Sequence, residues 1–206
     1  MLKKSTTLKI SLILLLAILF LLILGGNVNA DTNRKWGIKK DGYGINSEAF
    51  ISSLDVGGVY SGEQENVKWK ATVIKKNKSN ESGDVILEIT EVGEGVTEIY
   101  LPDQIYWKRL GLEYTFDVRG ISGIKNAANV TKIHISKYIK VFDDNIEKYK
   151  NKDMDNEETY FNGQFFKNFT DLNNLKEISI SEENGSFATE NGALYNHDKT
   201  CLLQFP

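Results

Sequence analysis

The chain has 206 residues and a formal net charge of −3, enough for one moderate domain plus a leader, and the acidic balance offers no bulk attraction for nucleic acid or anionic lipid. A single cysteine, Cys201, excludes an internal disulfide. Only two prolines, against 17 glycines and many Asn, Thr, Ile and Val residues, predict a β-rich chain whose strands are separated by glycine and asparagine turns.

Met1 to Lys9 carries Lys3, Lys4 and Lys9, Ile10 to Leu24 is apolar apart from Ser11, and Gly25-Gly26 and Val28-Asn29-Ala30 come next. This is the three-part plan of a secretory signal over residues 1–30, with cleavage expected after Ala30. Its loss removes three lysines and no acid, which takes the charge from −3 to −6. The competing reading is an uncleaved anchor. At about 1.5 Å per residue the apolar run falls short of a hydrocarbon core of about 30 Å unless Gly25 to Val28 are counted, so membrane contact is expected only through this segment if it is retained. A secreted chain without disulfides fits a bacterial exterior.

Residues 31–66 form a leader with no clear period, aromatic at Trp36, Tyr43, Phe50 and Tyr60 and interrupted by glycines. Val67 to Ile74 then alternates apolar and polar side chains, Lys75 to Gly83 is a polar turn, and Val85 to Ile89 returns. Residues 67–92 therefore predict a β-hairpin, placed as an N-terminal cap over the exposed apolar end of the segment from 93 onward.

Residues 93–206 read as repeats. Val96-Thr-Glu-Ile99-Tyr-Leu101, Val130-Thr-Lys-Ile133-His-Ile135 and Leu175-Lys-Glu-Ile178-Ser-Ile180 share one apolar spacing, with starts 34 and 45 residues apart. One such unit cannot bury its apolar face alone, whereas stacked units share a continuous core. The separations exceed the ~20–29 residues of a leucine-rich repeat, so insertions are expected. The larger is the charged stretch at about 143–158, expected to loop off the stack with at most one helical turn. Its acids suggest calcium, but Asp153, Asp155 and Glu157 are followed by Glu158 where an EF-hand needs Gly, and Gln164 stands where the bidentate Glu belongs. No metal site is expected. Tyr160, Phe161, Phe165, Phe166 and Phe169 return to the apolar pattern as core rings.

The closing run Phe187-Ala-Thr-Glu-Asn-Gly192-Ala-Leu194-Tyr195-Asn196, followed by Leu202-Leu203-Gln-Phe205-Pro206, resembles the signature of the BspA-like leucine-rich repeat proteins of bacteria. Leu87-Glu-Ile89-Thr90 to Ile99-Tyr-Leu101-Pro102 and Tyr114 to Ile121 resemble the opening of that family's first repeats, so the likeness covers about residues 84–206. The resemblance implies a short leucine-rich repeat solenoid, an α/β solenoid of β-rich character, displayed on the cell surface or secreted. It also implies adhesion to an extracellular protein or glycan ligand. It carries over no residue-level ligand contacts.

Catalytic chemistry leaves no trace in the sequence. His134 and His197 are 63 residues apart without a metal-ligand spacing, and no nucleophile elbow, phosphate loop or dinucleotide fingerprint occurs, so no cofactor is expected. Cys201, in the run Cys-Leu-Leu, reads as a small buried hydrophobe rather than a nucleophile. The binding expectation rests on strand period. If Ile99, Ile133 and Ile178 point inward, Glu98, Lys132 and Glu177 line one outward row and Tyr100, His134 and Ser179 the next. Glu98, Tyr100, Lys132, His134 and Glu177 are the candidate ligand contacts, against the alternative of an exposed Tyr and His with no ligand. Two other functions compete with binding. One is an envelope-associated glycan or peptide hydrolase with carboxylates in residues 31–66 or in the charged insertion; the other is an inert fragment of a longer array. Residues 201–206 are expected to leave apolar surface exposed and to drive self-association.

Overall fold

The computed structural model describes residues 34–37, 55–77, 82–109, 112–156, 160–161 and 172–206, all within the unit Asn33–Pro206. The leader at 1–30, residues 38–54, and the positions Glu157, Glu158, Gln164, Phe165, Phe166 and Phe169 lie outside the described residues. Strand β1 (Lys35–Gly37) and β2 (Val59–Gln64) precede the hairpin strands β3 (Val67–Lys76) and β4 (Ser82–Val92). Next come β5 (Glu98–Tyr100), β6 (Gln104–Arg109), β7 (Leu112–Ile124), β8 (Lys132–Ile135) and β9 (Val141–Phe142). After a turn of 3-10 helix at Ile146–Tyr149 come β10 (Tyr160–Phe161), β11 (Glu177–Ile180), β12 (Phe187–Glu190), β13 (Ala193–Asn196) and β14 (Leu202–Gln204). The protein is β-rich with almost no helix among the described residues.

The largest sheet has the order β1-β6-β7-β4-β3-β2, with β9 beside β7 and β10 beside β9. It curls into a half-barrel, and its outer strands β1 and β2 touch. Residues 67–92 do pair antiparallel as β3 and β4, but they sit inside this sheet, with β2 on one flank and β7 on the other. Two residues with positive φ, Glu65 and Asn66 at 52° and 62°, make the turn from β2 to β3. That pair of left-handed conformations suits the twist of a two-residue hairpin. Strand β3 follows its alternation: Val67, Trp69, Ala71 and Val73 are buried, Lys68 and Lys70 exposed. Inside the curl these side chains meet Trp36, Tyr60, Val85, Leu87, Ile89, Phe116, Val118 and Ile121. On the opposite face Ile74 joins a second cluster with Ile86, Val141, Tyr149 and Met154, beside an irregularity in the pairing between Val73 and Lys75.

That second cluster corrects the expectation for residues 143–158. The described part of the insertion, 143–156, does not loop off; it packs on the outer side of the sheet. Tyr149 and Met154, 6 % and 0 % exposed, are its apolar anchors. Asp143, also buried, accepts hydrogen bonds from the Tyr149 hydroxyl at 2.7 Å, the Lys148 ammonium at 3.2 Å and the Asn145 amide at 3.0 Å. Asp153 pairs with Lys75 at 2.9 Å and Asp155 with Arg119 at 2.9 Å. Two apolar side chains spaced through a charged segment suffice to dock it once every acid near the sheet has a cation opposite. Arg119 is held for that role by a register shift, since Val85 faces Val118 but Ile86 faces Gly120. The extra residue, Arg119, is buried with its Nε 2.9 Å from Asp84. Beside it, a Cβ on Gly120 would lie 2.9 Å from Val141 Cβ, so glycine is what lets β7 and β9 approach.

Strands β5, β8 and β11 form a separate parallel sheet in the order β11-β8-β5. Each is entered by the same turn: Val96 N–H donates to Gly93, Val130 to Ala127 and Leu175 to Leu172. Each later unit also docks on the carbonyl before it, because Thr131 and Lys132 N–H both donate to Thr97, and Lys176 and Glu177 N–H both donate to Thr131. Val130, Ile99, Ile133, Ile178, Leu101 and Ile135 are all buried in the common core. The sequence spacing and the hydrogen bonding thus repeat together.

Strands β12, β13 and β14 make a third, antiparallel sheet. Asn184, in the turn before β12, is 4 % exposed and ties this end to the stack. Its amide nitrogen donates to the Ser136 and Ile139 carbonyls at 2.8 and 3.1 Å, and its oxygen accepts from the Ser186 and Phe187 amides at 2.8 and 2.9 Å. Cys201 is exposed, which overturns its expected burial. Asn196 Oδ1 binds the Cys201 amide and turns its side chain outward, while Leu194 fills the core. Leu202 and Phe205 are exposed as well, at 50 % and 68 %.

Candidate functional site

The parallel register of β5, β8 and β11 fixes the outward rows. Glu98, Lys132 and Glu177 are paired across the three strands, and so are Tyr100, His134 and Ser179. All five residues singled out from the sequence therefore share one face of this sheet. In the first row the Lys132 ammonium lies 2.6 Å from Glu177 Oε1, and that contact holds its pKa above the ordinary lysine value. The side chains of Glu98 and Glu177 are about half exposed.

The second row is a stack. The rings of Tyr100 and His134 are parallel within 5° at a centroid separation of 3.8 Å. The guanidinium carbon of Arg34 lies 4.0 Å from the Tyr100 centroid. Two groups this close to one ring cannot share a face, so Tyr100 is sandwiched between imidazole and guanidinium. Arg34 is fixed from its backbone: its amide donates to Asp103 Oδ2 at 3.1 Å, and its carbonyl accepts from the Asp103 and Gln104 amides. Its guanidinium also lies 3.7 Å from Glu65. Arg34 escapes a sequence reading because nothing in its local pattern points to a partner 69 residues away.

Both rows meet at Glu98. Its Oε2 accepts from the Tyr100 hydroxyl at 3.0 Å and lies 3.4 Å from His134 Nε2. The Tyr100 hydrogen bond, aided by His134, holds the Glu98 carboxyl below its ordinary value. Tyr100 is shifted the other way, upward, by burial and by that same carboxylate. Burial pushes the His134 imidazole down from its ordinary value, outweighing the support of Glu98. At neutral pH the set is an ionised Glu98 and a neutral His134. An ionised carboxylate only accepts, so Nε2 carries the imidazole proton and Nδ1 presents its lone pair. Nδ1 faces Ser179, whose hydroxyl is close enough to donate to it. The arrangement can therefore do two things: present charges and hydrogen-bonding groups to a ligand along a rigid sheet, and draw the proton of Ser179 toward a neutral imidazole.

No group of three or more metal-ligating side chains occurs among the described residues. No described helix is long and apolar enough to cross a membrane. The chain matches no protein-family model, no curated protein and no solved structure.

Proposed function

We propose that this chain is a short leucine-rich repeat solenoid similar to the BspA-like surface proteins, secreted or displayed on a bacterial cell, and that it works by binding an extracellular protein or glycan. The observation that carries the reading is the triple recurrence of one unit, in which turn, docking carbonyl and strand register all repeat. Such a stack holds outward side chains on rigid elements, which is what a recognition surface needs. The leader at 1–30 supports export. Because both faces of Tyr100 are covered, a sugar ring is not expected to stack there while Arg34 stays in place. Recognition would instead use the Glu98 and Glu177 carboxylates, the Lys132 ammonium and the edges of the Tyr100–His134 pair. Asp143, Asp153 and Asp155 of the insertion are engaged as ion pairs or buried hydrogen-bond acceptors, which weighs against a hydrolase built on them.

The test is capture of the chain on arrays of glycans and of extracellular proteins, comparing wild type with Tyr100→Ala/His134→Ala. The expected result is retention on a defined subset, at least about tenfold weaker for the double variant, with thermal stability changed no more than by a surface substitution. Equal retention by both proteins would move the site off this sheet. Exposed Leu202 and Phe205 further support self-association along β14. Light scattering should then show Leu202→Ser/Phe205→Ser shifted toward monomer.

A further inference from the structure

Three groups from three different strands converge in line on the exposed face: Glu98 on β5, His134 on β8 and Ser179 on β11. Their contacts run Ser179 Oγ to His134 Nδ1, and His134 Nε2 to Glu98 Oε2. This is the order of nucleophile, base and orienting carboxylate. The imidazole is turned the opposite way from the familiar serine hydrolases, where the nucleophile meets Nε2. Either nitrogen serves equally as a base once the other holds the proton.

We propose that Ser179 is a nucleophile activated by His134, and that this face accepts the acyl group of an ester. The supporting parts are specific. Tyr100, stacked flat on the imidazole, fixes the plane of the ring. The Tyr100 hydroxyl fixes the carboxylate that holds Nε2–H. Ser179 is half-buried rather than free to rotate in bulk water.

In the reaction Ser179 Oγ bonds to the carbonyl carbon as its proton passes to His134 Nδ1. The ester C–O bond then breaks, and the leaving alkoxide takes that proton as an alcohol. Water, deprotonated by the same imidazole, later releases the carboxylic acid and restores the serine. No oxidant, metal or further co-reactant is required. The substrate class is a small activated ester.

This proposal stands apart from the binding reading, and its test has a separate readout. The full chain is treated with a reporter-tagged fluorophosphonate, in which Ser179 Oγ bonds to phosphorus, fluoride leaves and the serine proton goes to His134. The label is located by peptide mass spectrometry. Labelling is expected at Ser179, absent in Ser179→Ala, and slower by at least about tenfold in His134→Ala and His134→Gln. Glu98→Gln should keep labelling but move the inflexion of its pH profile to lower pH, because the carboxylate that supports imidazole protonation is gone. A carboxylate that does not face the imidazole in solution would leave that inflexion in place. Thermal melts of each variant separate loss of chemistry from loss of fold. Absence of label on Ser179 in the folded wild type, or an unchanged labelling rate in folded His134→Gln, would overturn the proposal, whatever the arrays show.

Discussion

Replacing Asn184 by alanine tests how the end of the stack is secured. The side chain makes four hydrogen bonds in a place that is 4 % exposed. Its removal strands two backbone amides, of Ser186 and Phe187, and two carbonyls, of Ser136 and Ile139. A buried group left without a partner costs about 1–3 kcal/mol, and the space vacated by the amide admits water to some of the four, so the expected loss is about 2–5 kcal/mol. At about 2–4 °C per kcal/mol for a chain of this size, the melting midpoint should fall by about 4–20 °C. The buried Trp36 and Trp69 make intrinsic fluorescence the natural reporter for urea unfolding. The midpoint should drop with an unchanged slope. Asn184→Asp keeps the acceptors for Ser186 and Phe187 but turns a carboxylate toward two carbonyls, and should be at least as damaging as alanine. A shift under about 2 °C in Asn184→Ala would refute the reasoning, because it would mean water replaces all four bonds at no cost.

Arg119→Ala removes the cation facing Asp84, Asp117 and Asp155. Burial already pushes Asp84 above its ordinary value. The stranded carboxylate should cost about 3–5 kcal/mol in urea unfolding, because a buried charge loses its partner. Gly120→Ala drives a methyl against Val141 and should lose about 1–3 kcal/mol by the same measurement. Met154→Asp should release the insertion, seen as new protease cleavage between about residues 145 and 156 with the main fold retained. His134 and Glu98 both bind protons less tightly when folded, so each contributes stability above its unfolded pKa. Stability should therefore fall as pH drops below about 6.5 through His134, and again below about 4.5 through Glu98. Urea midpoints across that range check the sign, and His134→Gln should erase the upper step.

The spacing of Ile99, Ile133 and Ile178 makes the short parallel sheet legible, because strand period sets both the buried row and its outward neighbours. The same period places Ser179 beside His134 but carries nothing about the hydrogen bond between them, which depends on side-chain rotamers. The alternation of Val67 to Ile74 predicts a hairpin; that the hairpin lies within a wider sheet depends on β7, whose parallel pairing with β4 joins residues distant in sequence. Residues Lys35 to Gly37 have no period to detect, being a strand only because Gln104 to Tyr106 lies alongside. The docking of the insertion is hidden for a different reason. Its anchors, Tyr149 and Met154, are outnumbered by charges, and the pairing of those charges with Lys75 and Arg119 is a long-range property. Cys201 departs from its pattern because an apolar run need not be uniformly buried: a turn held by Asn196 reverses which side chain faces in.

The parallel pairing of β1 with β6 sets an order of events during synthesis. Arg34 and Asp103 are 69 residues apart, and Lys35 to Gly37 lack their partner until Gln104 to Tyr106 has left the ribosome. Trp36 stays in water through that interval, although it ends 4 % exposed beside Trp69. An early segment that must wait for a late edge is exposed to proteases and to foreign strands in the meantime. The first described strand of this chain is thus seated no earlier than the sixth, and the Arg34 guanidinium reaches Tyr100 only when that seating is done.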